Sequence, residues 1–198
     1  MATPPTRIAV LCSGRGTNLQ AILEYLGSLG ANPPAQVVFV ASDRAGAFAL
    51  ERARQQGIAT GVIARPADGD ALVALLDAHR PDLIALAGYL KLVPGAVTKK
   101  WRGAIVNVHP ALLPRFGGPG MFGRRVHEAV LAAGEHETGA TVHFVDEEYD
   151  HGAIIAQERV AVGPSDTADT LSARVLAAEH HVYPRALHKL ALDRSAPG

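Results

Sequence analysis

The chain has 198 residues, 48% of them hydrophobic and 19% charged, the proportions of one soluble globular domain with room for a substantial core. Nineteen basic side chains balance nineteen acidic ones, which removes any global electrostatic drive toward nucleic acid or an anionic membrane. A single cysteine, Cys12, excludes an internal disulfide or a multi-cysteine zinc site; the absence of a signal-peptide core or a membrane-spanning apolar run gives the expectation of a cytoplasmic protein.

The apolar run at 7–12 (RIAVLC), bounded by Ser13-Gly14, reads as a buried strand. Ser13-Gly14-Arg15-Gly16-Thr17-Asn18 then leads into Leu19, Ile22, Leu23 and Leu26, which recur at helical spacing. A strand, a glycine-bearing turn and a helix N-terminus present free backbone N–H groups at the positive end of a helix dipole, an arrangement suited to phosphate. The same residues also suit a tight turn with Thr17 or Asn18 as helix cap. The stretch is neither Gly-x-Gly-x-x-Gly nor a Walker A, so both readings stand.

Strands follow at 36–41 and, more weakly, at 58–64. Helices are predicted at 47–56, stopped by Gly57, and at 70–79, where Leu72, Leu75 and Leu76 share a stripe. A continuous apolar strand at 82–87 runs into Gly88-Tyr89-Leu90-Lys91-Leu92-Val93-Pro94. The next strand, 104–108, is closed by Pro110, which lacks an N–H and biases His109 toward extended geometry. Side chains alternate along a strand, so Asn107 and His109 point the same way, roughly 6.6 Å apart. An amide and an imidazole so placed suit catalysis, one donating to a developing oxyanion and the other taking a proton. They equally suit a turn-capping asparagine and a hydrogen-bonded, partly buried histidine.

Residues 115–123 carry four glycines and a proline and read as an irregular, mobile loop. A helix at 124–133 turns Val126, Val130 and Leu131 inward. The strand at 138–145, the acidic connection at 147–152 and the strand at 153–162 form an antiparallel pair. A helix at 167–192, interrupted at Pro184, closes the chain, and residues 1–6 and 195–198 should fray. The alternation indicates one α/β domain over 1–198: a doubly wound, mostly parallel sheet flanked by helices, with an antiparallel C-terminal strand pair and a closing helix. Ligands bind such sheets outside the carboxyl ends of the strands, where the Ser13 loop, the Gly88 loop and Asn107/His109 all fall. No metal site is expected: His180 and His181 are adjacent on a helix and diverge, and no His-Glu-x-x-His occurs. His143 could face the site from its strand, although such a residue more often serves packing or hydrogen bonding.

Five segments in order resemble the phosphoribosylglycinamide formyltransferases, the folate-dependent transformylases of purine biosynthesis. They are Ser13-Gly-Arg-Gly-Thr-Asn-Leu-Gln20, Leu86-Ala-Gly-Tyr-Leu90, Asn107-Val-His-Pro-Ala-Leu-Leu-Pro114, Gly139-Ala-Thr-Val-His-Phe-Val145 with Asp150-His-Gly152, and Ala178-Glu-His-His-Val-Tyr-Pro184. The resemblance implies a Rossmann-like formyltransferase fold. It also implies formyl transfer from 10-formyltetrahydrofolate, as co-substrate, to the amine of 5-phosphoribosylglycinamide by direct attack, without a metal. It makes Asn107, His109 and Asp150 catalytic. It puts Arg15, Gly16, Thr17, Asn18 and Glu179 on the phosphorylated substrate, and Arg65, Leu90, Lys91, Leu92 and Val93, with Asn107, on the folate. The connection at 146–150 becomes part of the folate pocket. Lys91 stands where some members carry arginine, replacing a planar fork by a point charge. The implied partners are these two small molecules, with no nucleic acid and no membrane, for a monomer or homodimer. Cys12, in a core strand, is expected to be inert.

Two other readings come with the resemblance. A formyltetrahydrofolate hydrolase would be expected to carry an N-terminal regulatory domain. A methionyl-tRNA formyltransferase would carry a C-terminal domain and a basic surface. A third, a non-catalytic phosphate-binding sensor, explains residues 13–18 but leaves Asn107, His109 and Asp150 without a joint purpose.

Overall fold

The computed structural model describes residues 4–195. In chain order the elements are β1 (Thr6–Cys12), α1 (Thr17–Ser28), β2 (Ala35–Ser42), α2 (Phe48–Gln55), β3 (Ala59–Val62), α3 (Gly69–Asp77), β4 (Leu83–Leu86), α4 (Gly95–Lys100), β5 (Ile105–His109), α5 (Arg124–Ala132), β6 (Glu137–Phe144), β7 (Ile154–Ala161) and α6 (Ala168–Ser195). The strands form one sheet in the order β3-β2-β1-β4-β5-β6-β7. Pairing is parallel from β3 through β5 and antiparallel from β5 to β7. Ile8 through Cys12 and Leu83 through Ala85 are fully buried, as expected of parallel strands covered on both faces. β7 alternates exposed and half-buried positions, the pattern of an edge strand with one solvated face.

Several details depart from the sequence reading. Helix α4 is additional; at six residues it is too short to show periodicity, and Pro94 starts it. The third strand contracts to Ala59–Val62. Thr6, placed in the expected frayed start, opens β1 because its N–H donates to the Pro34 carbonyl at 2.8 Å. Residues 1–3 and 196–198 of the expected frayed ends lie outside the described residues, and Ser195 closes α6. The largest correction concerns Pro184, which lies inside α6 without interrupting it. A proline frees only the carbonyl one turn earlier, and burial of Tyr183 and Leu187 on either side holds the helix to the sheet.

Tyr183 also fastens α6 to the centre of the sheet. Its single hydroxyl hydrogen is shared between the carbonyls of Leu86 at the end of β4 (3.1 Å) and Val106 in β5 (2.9 Å). Both strands lead into the cavity described next. Tyr183→Phe should lower stability by about 1–2 kcal/mol, read as a shifted midpoint in urea denaturation at unchanged slope.

Candidate active site

Strand order reverses between β1 and β4, so the loops after these strands part and leave a crevice. A cavity of about 360 Å³ occupies it. Its wall includes Arg15, Thr17 and Asn18 after β1, Gly88 to Val93 after β4, Asn107 and His109 on β5, and Gly118 and Gly120 to Gly123 before α5. His127, His143, Glu148 to Asp150, and Ser172, Leu176 and Glu179 of α6 complete it.

Asn107 and His143 are register partners on antiparallel β5 and β6, so their side chains meet across the strands. The His143 Nδ1–H donates to the Phe144 carbonyl at 2.8 Å, leaving Nε2 to accept from the Asn107 amide at 3.1 Å. An amide nitrogen has two hydrogens, so the second remains for a ligand. His109, 3% exposed, donates from Nε2 to the Phe116 carbonyl at 2.8 Å, and its Nδ1 lies 3.4 Å from Asp150 Oδ2. The Gly118 N–H donates to the same Oδ2 at 3.0 Å, and Asp150 Oδ1 lies 3.6 Å from His143 Nε2. Thr141 steadies the turn behind His109, donating to the Ala111 carbonyl (2.6 Å) and accepting from the Leu113 N–H (3.0 Å).

The backbone at Phe116 (φ 58°) and Asp150 (φ 55°) is left-handed, which delivers both turns to the same point. A Cβ at Gly117 would lie 2.5 Å from Leu113 Cδ2 and 3.1 Å from Asp150 Cβ, so only glycine fits there without moving the carboxylate. Residues 115–118 are therefore a structural part of the site rather than a free loop.

Burial raises the Asp150 carboxyl, but the His143 and His109 imidazoles and the Gly118 N–H outweigh it and hold it below the ordinary range. Burial lowers the His109 imidazole; Asp150 and the Phe116 carbonyl oppose this, and His143 adds to it. The free site thus holds a neutral ring beside a carboxylate, although both ring nitrogens face acceptors that favour the charged form. Such a ring is poised to take a proton.

At the other end of the cavity, Gly16 (φ 72°) precedes α1 as its N-cap, without a side-chain cap, leaving first-turn N–H groups for a ligand. A Cβ at Gly16 would lie 2.6 Å from Ala49 Cβ. The loop is clamped from outside: the Ala49 N–H donates to the Gly14 carbonyl (3.2 Å) and Arg52 Nε to the Arg15 carbonyl (3.0 Å). Beside it the Asn18 amide donates to buried Glu179 Oε2 at 2.6 Å, while Asn18 Oδ1 is buried without a partner among the described residues. Burial pushes the Glu179 carboxyl up to about 7, against the opposing Asn18 hydrogen bond.

The opposite wall is apolar. Leu90 and Leu92 are 43% and 46% exposed, and Lys91 and Val93 lie with them. Ser13 ties this loop across the crevice, donating its N–H to the Gly88 carbonyl (3.1 Å) and accepting from the Leu90 N–H (3.1 Å). Arg65 is not on the wall; its guanidinium pairs with Asp68 at 3.0 Å, one turn away. Cys12 is off the wall as well, and burial pushes its thiol up to about 12. Among the described residues no group of three or more His, Cys, Asp or Glu side chains is arranged to hold a metal.

Sequence reasoning missed His143 as a partner of Asn107, and missed the backbone groups of Phe116 and Gly118. Alternation in β5 and β6 points each side chain to a face, but the register that pairs Asn107 with His143 is not written in either strand alone.

Residues 6–187 match the formyl transferase family, and the chain belongs to it. The chain is 39% identical over 184 residues to the phosphoribosylglycinamide formyltransferase of Haemophilus influenzae, covering 90% of this chain and 84% of that protein. It is 41% identical over 197 residues to the trifunctional purine biosynthetic protein adenosine-3 of Drosophila pseudoobscura pseudoobscura, covering 96% of this chain but only 14% of that much longer protein. The crystal structure of glycinamide ribonucleotide transformylase 1 from Symbiobacterium toebii superposes with a TM-score of 0.87 at 41% identity, covering 96% of this chain and 89% of that one.

Glu179 gives a test that needs no substrate. Its carboxyl holds its proton more tightly in the folded protein than in the unfolded chain, where it titrates near 4.5. The unfolded state therefore loses the proton first, and stability falls as pH rises from about 4.5 to about 7. Thermal denaturation of wild type and Glu179→Gln should agree below that window. Above it the variant should be the more stable, by at most about 3 kcal/mol.

Proposed function

We propose that this protein transfers the formyl group of 10-formyltetrahydrofolate to the amine of 5-phosphoribosylglycinamide, a step of purine biosynthesis. The observation that carries the reading is the meeting of Asn107, His109, His143 and Asp150 in one cavity with an uncapped helix N-terminus at one end and an apolar wall at the other. The names of two of the relatives above support phosphoribosylglycinamide as acceptor and formyl as the group moved, and the family resemblance supports the folate as donor.

The parts fit these two small molecules. First-turn N–H groups at Gly16, Thr17 and Asn18 would take the phosphate. Asn18 and Glu179 would receive donors of the acceptor substrate, since Asn18 Oδ1 lacks one and a carboxyl that titrates near 7 gains from a neighbouring amine. Leu90, Leu92 and Val93 would cover the flat apolar part of the folate, with Lys91 beside its anionic end. Arg65, paired with Asp68 off the cavity wall, is given no part in holding the folate.

In the reaction the neutral amine attacks the formyl carbon, whose oxygen gathers negative charge as the nitrogen becomes positive. Asn107 donates its second amide hydrogen to that oxygen. His109 takes the proton lost by the attacking nitrogen and becomes the imidazolium that Asp150 and the Phe116 carbonyl both favour. The departing folate nitrogen needs one proton, and His109 returns it, so the site ends as it began. His143 holds the Asn107 amide in its working orientation. No covalent enzyme intermediate is required.

A formyl-transfer assay with both substrates tests this. Wild type should turn over, Asn107→Ala should lose roughly 10²–10³ in kcat, and His109→Ala should fall to background. A His109→Ala variant as active as wild type would overturn the mechanism.

A further inference from the structure

Buried polar atoms without a partner among the described residues include three on the cavity wall: Asn18 Oδ1, the Tyr89 hydroxyl and His127 Nδ1. The first belongs to the Glu179 pair and the second stands in the loop after β4. His127 has no role so far.

His127 occupies the first turn of α5 and is 3% exposed. Fully buried Val126 and Val130 fix that turn, and Val130 packs on Leu171 and Val175 of α6. The α5 N-cap, Gly123 (φ 57°), lies on the cavity wall and provides no side-chain cap. The two arginines beside it are engaged elsewhere: Arg124 pairs with Asp169 and Glu128, and Arg125 lies 5.5 Å from the Phe122 ring. His127 is left as the side chain of this turn on the wall. Burial, with His109 adding to it, holds its imidazole low, so the ring is neutral and offers a single N–H. A buried N–H without an acceptor is rarer than a bare acceptor atom, which assigns the proton to Nε2. On α6, Ser172, Leu176 and Glu179 continue this wall at helical spacing toward the Asn18–Glu179 pair.

We infer that His127 is a contact residue for the sugar-phosphate part of the acceptor substrate. Its Nε2–H donates to a phosphate oxygen held between the N-termini of α1 and α5. The inference rests on the reading of the acceptor as a phosphorylated compound, and it adds a second arm to the anion site of the Gly16 loop.

The probe is ribose 5-phosphate, which carries the sugar phosphate and no amine to formylate. Titrated into wild-type protein, it should move the ¹⁵N resonance of His127 Nε2. His127→Phe should weaken its binding roughly tenfold by calorimetry, the loss of one hydrogen bond to a charged group. The same variant should raise KM for phosphoribosylglycinamide to a similar extent, with kcat and the folate KM close to wild type. His127→Gln, which restores a donor, should recover most of the affinity, as a merely structural role would not require. An unmoved resonance in a wild type that turns over would overturn the inference alone. A moved resonance in a wild type with no turnover would instead overturn the assigned reaction and leave the anion contact standing.

Discussion

A carboxylate removed from water keeps its charge only where donors and positive charge surround it. Asp150, with a side chain 10% exposed, accepts from the Gly118 N–H and lies beside two imidazoles, of which His109 gains a hydrogen to donate to it once the ring takes a proton. Each imidazole is held in turn, His109 by the Phe116 carbonyl and His143 by the Phe144 carbonyl and the Asn107 amide. Strand β5, the turn at 115–118 and the connection before β7 are thereby made interdependent. Left-handed backbone at Phe116 and Asp150 is accepted because both turns must arrive at one place.

The rest of the architecture supplies a rigid frame for that point. The fully buried stretches Ile8 to Cys12 of β1 and Leu83 to Ala85 of β4 flank the switch in strand order, and Ser13 bridges the loops that follow them. Tyr183 joins α6 to the end of β4 and to Val106 of β5, which ties the helix bearing Glu179 to the strand bearing Asn107. The cavity consequently differs along its length: the uncapped N-terminus of α1 at one end, the Asn107, His109, His143 and Asp150 side chains in the middle, and a wall of leucine and valine at the other.

Much of this was legible in the chain. The strand–helix alternation from 7 to 108 and the apolar runs gave the sheet, because burial on both faces leaves an unmistakable pattern in VLIA-rich segments. The Gly16 turn and the Asn107/His109 pair were visible as local chemistry. Asp150 joined them only through family resemblance, since nothing local links positions 109 and 150. What stayed hidden was non-local or carried by backbone: the register that sets His143 against Asn107, the Phe116 carbonyl and the Gly118 N–H. Proline rules misread 184, where tertiary packing of Tyr183 and Leu187 outweighs one lost hydrogen bond. Arg65 was assigned by resemblance; its guanidinium pairs with Asp68, and it is not among the residues of the cavity wall.

The central claim is that His109 and Asp150 act as one unit. A double-mutant cycle on kcat/KM with His109→Ala, Asp150→Asn and the double variant measures this directly. The account predicts strong non-additivity, the double variant being scarcely slower than the slower single one. Losses that simply multiply would show two independent residues and contradict it.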